Sequence, residues 1–332
     1  MRLFIFSLFI LLLCQAAAQE SNIFIVTEVS GKAQYTDKQL NKEQQLLPGQ
    51  QLSADASVIL ANNARVSLVH KNKAIVLNKT GRTSLQTFVN QGDKKNTGLI
   101  NRFFNYIQEG ITNTGNDKKL EKYHEQYITK NAGGVKGFAG GEYGVIASSP
   151  VIGMLRSTSV TFSWFATNDS SFYDFQILDY QTDGVIYKAL LRDNAVTVEL
   201  QKLVLEPERK YYWVVQKKLP GELSVSFTFS DEPYKSSPEV EFVIDNDKLV
   251  SAIALLEKEE EYQKADALYK KLMEALVFEN NQFIYEAYLR LQEAQKLAPD
   301  NQLIKNLTAA FLARQGLIRA GSEIINSAGN NQ

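Results

Sequence analysis

The chain has 332 residues, and its 36 basic and 37 acidic side chains leave a net charge close to zero. There is no excess of charge to hold the protein on nucleic acid or anionic lipid. Cys14 is the only cysteine, which excludes an internal disulfide and a thiolate metal site. At about 150 residues per domain, this length indicates two or three domains, and packed cores must supply their stability.

The N-terminus has the pattern of a secretory signal peptide. Arg2 supplies a positive end, residues 3–13 are an apolar run, and three alanines precede Gln19 as small residues suited to cleavage. The run is shorter than the about 20 apolar residues that a membrane-spanning helix needs. We therefore expect residues 1–18 to be removed and the mature protein to be exported without a membrane span. Lipid attachment at Cys14 is the competing prediction, although the residue before it is not small.

Short apolar segments separated by polar turns follow, up to residue 88. Pro48 and Gly49 predict a turn, and residues 57–60, 64–69 and 75–77 predict strands with one buried face. We expect these strands to form a meander of short antiparallel strands. The β-forming residues from Leu85 to Phe88 predict the start of another strand.

This segment resembles the FecR-like domain of Gram-negative envelope proteins. The Leu-Pro-Gly-Gln turn, the strand pair about Asn62 and Asn63 and the apolar strand ending near Leu77 carry the resemblance. It implies a FecR-like β domain over residues 19–92. Full-length FecR-type regulators have a cytoplasmic anti-sigma segment and a membrane span before this domain. Neither precedes it here, so sigma-factor signalling is not expected.

The middle of the chain changes to a helical period. Apolar residues recur at helical spacing from position 99 to 111, and a more polar helix is predicted over residues 116–130. We expect the face with Phe103, Phe104 and Tyr106 to pack against the first domain, with partner docking as the alternative. The glycines of residues 133–144 lack the Lys-Ser or Lys-Thr pair and the following helix of a phosphate loop, and we interpret them as a hinge.

Alternation of apolar and polar residues returns after residue 148. Val160, Phe162 and Trp164 alternate with polar residues, and further strands follow at a spacing typical of a two-layer β-sandwich. Residues 225–229 and residues 240–244 are both candidates for the last strand, and the sequence does not choose between them.

This region resembles a fibronectin type III or immunoglobulin-like module. Trp164 on its strand and the Leu-x-Pro-x-x-x-Tyr-Tyr-Trp segment ending at Trp213 carry the resemblance. It implies that Tyr211 hydrogen-bonds the turn before its strand, while Trp164 fills the space between the sheets. The tyrosines that we expect to face solvent, and hence to be candidates for stacking on a sugar ring, are Tyr180, Tyr187 and Tyr212.

The C-terminal part is predicted to be helical. Asp245 to Asp247 indicate a helix start, because short polar oxygens accept from the free backbone donors of a first turn; the glycine and terminal glutamate of a calcium loop are missing. The segment from Tyr262 to Tyr269 and the run that closes at Pro299 resemble tetratricopeptide repeats. Such stacks usually need about three units, so we expect this pair to lean on the sandwich or on a partner.

The sequence does not predict a cluster of catalytic or metal-binding residues. His70 and His124 are the only histidines, too few for a multi-histidine zinc site and without the partners of a Ser-His-Asp triad. Glu259, Glu260 and Glu261 lie in a polar helical run that is more typical of a solvated face than of an acid and base pair. We predict no catalytic, cofactor-binding or metal-binding residue.

The sequence thus predicts a multidomain protein with mainly β N-terminal and central domains and helical hairpins at the C-terminal end. The predicted parts are a signal peptide (1–18), a FecR-like β domain (19–92), a helical segment with a glycine-rich hinge (93–147), a fibronectin-like sandwich (148–245), a tetratricopeptide-like region (246–320) and a tail (321–332). The leading hypothesis is an exported, periplasmic or envelope-associated scaffold that binds another envelope protein, with envelope sensing as one role. A carbohydrate or peptidoglycan binder is the alternative, and a hydrolase that uses carboxylates alone is a third.

Overall fold

The computed structural model describes residues 23–37, 42–70, 73–89, 99–130, 145–166, 172–218, 237 and 239–326. It has β-sheets in the N-terminal and central regions and helices in the C-terminal region, which confirms the predicted class at this level. The chain divides into two compact units, residues 1–104 and residues 105–332. None of the helices in these described ranges is long and apolar enough to cross a membrane.

The first 89 residues of unit 1 contain eight described strands and one short helix. They are β1 (Ile23–Ser30), β2 (Ala33–Thr36), β3 (Gln44–Gln45), β4 (Gln51–Ser53), β5 (Ser57–Leu60), β6 (Arg65–His70), β7 (Lys73–Leu77), β8 (Gly81–Ser84) and α1 (Gln86–Val89). The strands form two antiparallel sheets, in the orders β4-β1-β6-β7 and β3-β2-β5-β8. Alternate side chains from both sheets, such as Val58 and Leu68, share one buried core.

Two expectations for this unit are wrong. The strands do not form one meander, because β5 pairs with β2 and β8 whereas the next strand, β6, pairs with β1 and β7. Alternation fixes which face of a strand is buried but does not name its neighbour in the sheet. The run expected to be a strand at Leu85 to Phe88 is the short helix α1, in which the Phe88 N–H donates to Leu85 O. The turn at Gly49, with a φ of 87°, is as predicted.

Unit 2 contains a β-sandwich. Its strands are β9 (Val145–Ser149), β10 (Gly153–Leu155), β11 (Ser159–Ala166), β12 (Phe172–Asp179), β13 (Val185–Leu191), β14 (Ala195–Glu199), β15 (Lys210–Lys218) and β16 (Val240–Ile244). One sheet has the order β10-β16-β15-β12-β13 and the other has the order β14-β11-β9. Residues 240–244, one of the two candidates for the last strand, form β16. The competing residues 225–229 lie outside the described part of the chain, so the choice between them stays untested.

Aromatic rings fill the space between the two sheets. Phe162 lies 5.1 Å from Phe175 and 5.5 Å from Trp213, measured between ring centroids. Trp164 stacks on Phe175 at 6.0 Å and is 1% exposed, as its place in the expected sandwich implies. The Glu206 N–H donates to the Tyr211 hydroxyl at 2.7 Å, which is the bond to the preceding turn that the resemblance implied.

The remaining described helices belong to unit 2, except for the first six residues of the first one, and within unit 2 they pack against one another. They are α2 (Leu99–Thr112), α3 (Asp117–Lys130), α4 (Lys248–Leu256), α5 (Glu260–Lys264), α6 (Ala267–Asn280), α7 (Ile284–Leu297), α8 (Gln302–Arg314) and α9 (Ile318–Asn326). The division between the units falls within α2. Helix α3 packs on α8 and α9 through Leu120 and small residues such as Ala309 and Ala313.

Tyr106 in α2 and the end of the chain differ from expectation. Tyr106 was expected to face the first domain, yet its ring lies 5.0 Å from the Arg314 guanidinium in unit 2. The predicted tail begins with six residues that belong to α9, since helix Ile318–Asn326 includes Gly321. A Cβ on Gly321 would lie 2.9 Å from Ala309 O, so glycine serves close helix packing there rather than ending the helix. Residues 1–18, 133–144 and 327–332 lie outside the described ranges.

Of the residues Asp245 to Asp247, which were predicted to start a helix, only the first caps α4 with its side chain. Asp247 stands at the N-cap position with a φ of 96° and makes no side-chain cap bond. The buried Asp245 carboxylate takes this role, accepting from Lys248 N at 3.0 Å and from Leu249 N at 3.1 Å.

Replacing Asp245 with alanine is expected to lower the free energy of unfolding by about 1–2 kcal/mol, because two backbone donors lose their acceptor. Urea denaturation followed by tryptophan fluorescence measures this effect. As a control, Asp247→Gly keeps the left-handed backbone without a side chain and is expected to change stability by less than about 0.5 kcal/mol. An equal loss in both variants would contradict the assignment of the cap to Asp245.

Candidate functional site

The three tyrosines proposed for sugar stacking do not share one exposed surface. Tyr180 is 44% exposed, and its ring is perpendicular to that of Tyr212 at 6.4 Å. Tyr212 is buried, and its hydroxyl donates to Asp183 Oδ1 at 3.1 Å. Tyr187 packs at the edge of the sandwich core, 6.0 Å from Phe175. The expectation that all three face solvent is wrong for Tyr212. Tyr180 is exposed, but the Lys210 ammonium lies over its ring, 5.3 Å from the centroid.

The two histidines and the acidic run do not come together in a reactive site among the described residues. His70 is buried in β6, where its ring stacks on Phe24 at 4.0 Å and its Nδ1 lies 3.0 Å from Ile23 O. His124 Nδ1 lies 2.8 Å from Ala313 O. Glu259 and Glu260 are exposed at the start of α5. Within the described residues, no group of three or more potential metal ligands comes together.

The helical end leans on the sandwich, as predicted, through α7 and the turn before it. Met154 N donates to Gln282 O at 2.8 Å, and a Cβ on Gly153 would lie 2.6 Å from the same oxygen. The Tyr285 hydroxyl accepts from Thr161 N at 3.0 Å. Glycine at position 153 therefore lets a backbone carbonyl of the helical part approach the edge strand of the sandwich.

A buried carboxylate completes this junction. Glu286 Oε1 accepts from Arg156 N at 2.7 Å, from Ser157 N at 2.9 Å and from Ser157 Oγ at 3.1 Å. Burial raises the pKa of Glu286 above its ordinary range, while these hydrogen bonds oppose the rise. The carboxylate thus joins α7 to the segment after β10.

The stability of this junction is expected to depend on pH. Because the pKa of Glu286 is raised on folding, its contribution is fully present below the ordinary value of 4.5 and is lost as pH rises through the higher folded value. Glu286→Gln keeps an oxygen acceptor but does not titrate. The stability of the wild type minus that of Glu286→Gln should therefore fall as pH rises above the ordinary value of 4.5 and through the raised pKa of Glu286, measured by urea denaturation. A difference that stays constant or rises would contradict the raised pKa.

A cleft with a volume of about 240 Å³ opens beside this junction. Its floor and walls come from the ends of β9 and β11, the start of α7, the end of α8 and the start of α9. The lining residues are Ser148, Ser149, Pro150, Val151, Ser163, Trp164, Phe165, Asn194, Ile284, Tyr285, Tyr288, Phe311, Leu312, Gln315, Leu317 and Ala320. Five of these residues are aromatic, and none carries a formal charge at neutral pH.

The aromatic side chains of the cleft differ in exposure. Trp164 and Tyr285 are almost fully buried in its wall, whereas Phe165 is 41% exposed at its mouth. Tyr288 and Phe311 stack on each other with ring centroids 5.9 Å apart. A concave, largely apolar surface with a few polar groups is the usual setting of a binding site.

A second cluster lies inside the helices of unit 2. The buried Arg314 guanidinium forms two bonds with Glu279, from Nε to Oε1 at 2.6 Å and from Nη2 to Oε2 at 2.7 Å. Arg314 Nη1 also donates to the Tyr123 hydroxyl at 2.9 Å, and that hydroxyl donates to Glu109 Oε2 at 3.2 Å. Burial alone would lower the pKa of Arg314, but the Glu279 carboxylate holds it well above its ordinary value. Burial raises the pKa of Tyr123 to about 12.

This cluster is an internal clamp rather than a surface for ligands. Its residues come from α2, α3, α6 and α8, and both charged groups are enclosed. Glu279 and Arg314 have only a weak signal in the sequence, since an isolated charge in an apolar helical run resembles an ordinary solvated position.

Comparisons with known proteins do not identify a family for this chain. No protein-family model matches the chain, and no curated protein matches it. Among solved structures, it is similar to a crystal structure of the FN1–FN3 domains of chicken CNTN1, with 7% sequence identity and a TM-score of 0.20. The match covers 69% of this chain and 58% of that one, so the chain spans less than two thirds of the structure that it matches. A likeness at this TM-score is too weak to support a function.

Proposed function

We propose that this chain is an exported, non-catalytic bacterial envelope protein that acts as a protein-interaction or scaffold module. The observation that carries the proposal is the uncharged, aromatic-lined cleft at the junction of the sandwich and the helices. Apolar concave surfaces with aromatic anchors are typical of places where partner side chains dock. The segment before Gln19, with the pattern of a secretory signal, supports export.

The three resemblances support the same proposal. Two small sheets with a turn at Gly49 are compatible with a FecR-like β domain. The bond from Glu206 N to the Tyr211 hydroxyl is compatible with a fibronectin-like sandwich. Helices α6 and α7, which pack on each other and end before Pro299, are compatible with a tetratricopeptide-like pair. Each of these classes serves mainly to present surfaces to other proteins.

Site-specific photo-crosslinking tests the proposal. A photoreactive phenylalanine analogue at Phe165 places the crosslinker at the mouth of the cleft, and the same analogue at Val204, which is 91% exposed, serves as control. We expect the mature chain in the envelope fraction, with its N-terminus at Gln19 and a defined protein adduct from position 165 alone. A chain that starts at Met1 in the cytosol, or identical adducts from both positions, would overturn the proposal.

Carbohydrate or peptidoglycan binding is the second candidate. It is favoured by the hydroxyl and amide groups of cleft residues such as Ser149 and Asn194, and by the partly exposed ring of Tyr180. This candidate predicts sedimentation of the protein with insoluble peptidoglycan and no protein adduct from position 165. Loss of sedimentation in Tyr180→Ala would place the glycan on the sandwich rather than in the cleft.

A further inference from the structure

We draw no further inference here: the strongest candidate, the uncharged, aromatic-lined cleft between the β-sandwich and the helices of unit 2, belongs to the site already described, and nothing in the structure shows which occupant covers it.

Discussion

Replacing Arg314 with methionine is expected to lower the free energy of unfolding of unit 2 by about 3–5 kcal/mol. The variant leaves the Glu279 carboxylate buried without the guanidinium that now bonds both of its oxygens. It also removes a donor from the Tyr123 hydroxyl. Urea denaturation measures the loss through the fluorescence of Trp164 and Trp213, both of which lie in this unit.

Two further variants show how much of the loss in the free energy of unfolding comes from the unpaired Glu279 carboxylate and how much from breaking an ion pair. The double variant Arg314→Met with Glu279→Leu removes both charges and is expected to recover most of the lost stability. Arg319→Met breaks an exposed pair with Glu323 and is expected to cost less than about 0.5 kcal/mol. If the double variant is no more stable than Arg314→Met, the clamp does not act through the buried charge.

Phe162→Ala is expected to destabilise unit 2 by about 3–5 kcal/mol. The Phe162 ring belongs to the three-stranded sheet and contacts rings of the five-stranded sheet at Phe175, Trp213 and Phe242. Removing it leaves a cavity between the sheets that rigid neighbouring rings cannot fill. The same urea denaturation measures the effect.

A matched control lies three residues further along the same strand. Phe165 has the same side chain but is 41% exposed, so Phe165→Ala is expected to cost less than about 1 kcal/mol. Phe162→Leu keeps most of the buried volume and should cost less than about 1.5 kcal/mol. Equal losses in Phe162→Ala and Phe165→Ala would contradict the assignment of the sandwich core.

The sequence predicted best where one local pattern determines the outcome. Alternation placed Val160, Phe162 and Trp164 on the buried face of one strand, because side chains of successive strand residues point to opposite faces. Helical period predicted Leu99–Thr112 and Asp117–Lys130 in the same way. These patterns record which face of an element is buried.

The same patterns do not record what covers that face. Tyr106 was assigned to the wrong neighbour, because its partner Arg314 lies far along the chain and the local pattern around Tyr106 contains no signal for it. The cleft escaped prediction for the same reason, since Phe165 and Phe311 belong to different domains of the predicted chain and meet only in the fold. The helix at Gly321 was missed because glycine usually lowers helix propensity, whereas here it allows contact with Ala309.

The hydrogen bonds of the buried Arg314 to Glu279 and Tyr123 affect how unit 2 folds. Tyr123 and Arg314 are 191 positions apart, yet they form a direct hydrogen bond. The first helices of the unit therefore cannot complete their packing until the C-terminal helices have formed. Contacts of such separation slow folding, and until they form, the apolar side of Asp117–Lys130 has no cover from the C-terminal helices. A chain that ends before the last two helices would therefore carry the sandwich strands but leave the apolar face of Asp117–Lys130 exposed, and we expect it to aggregate and be degraded.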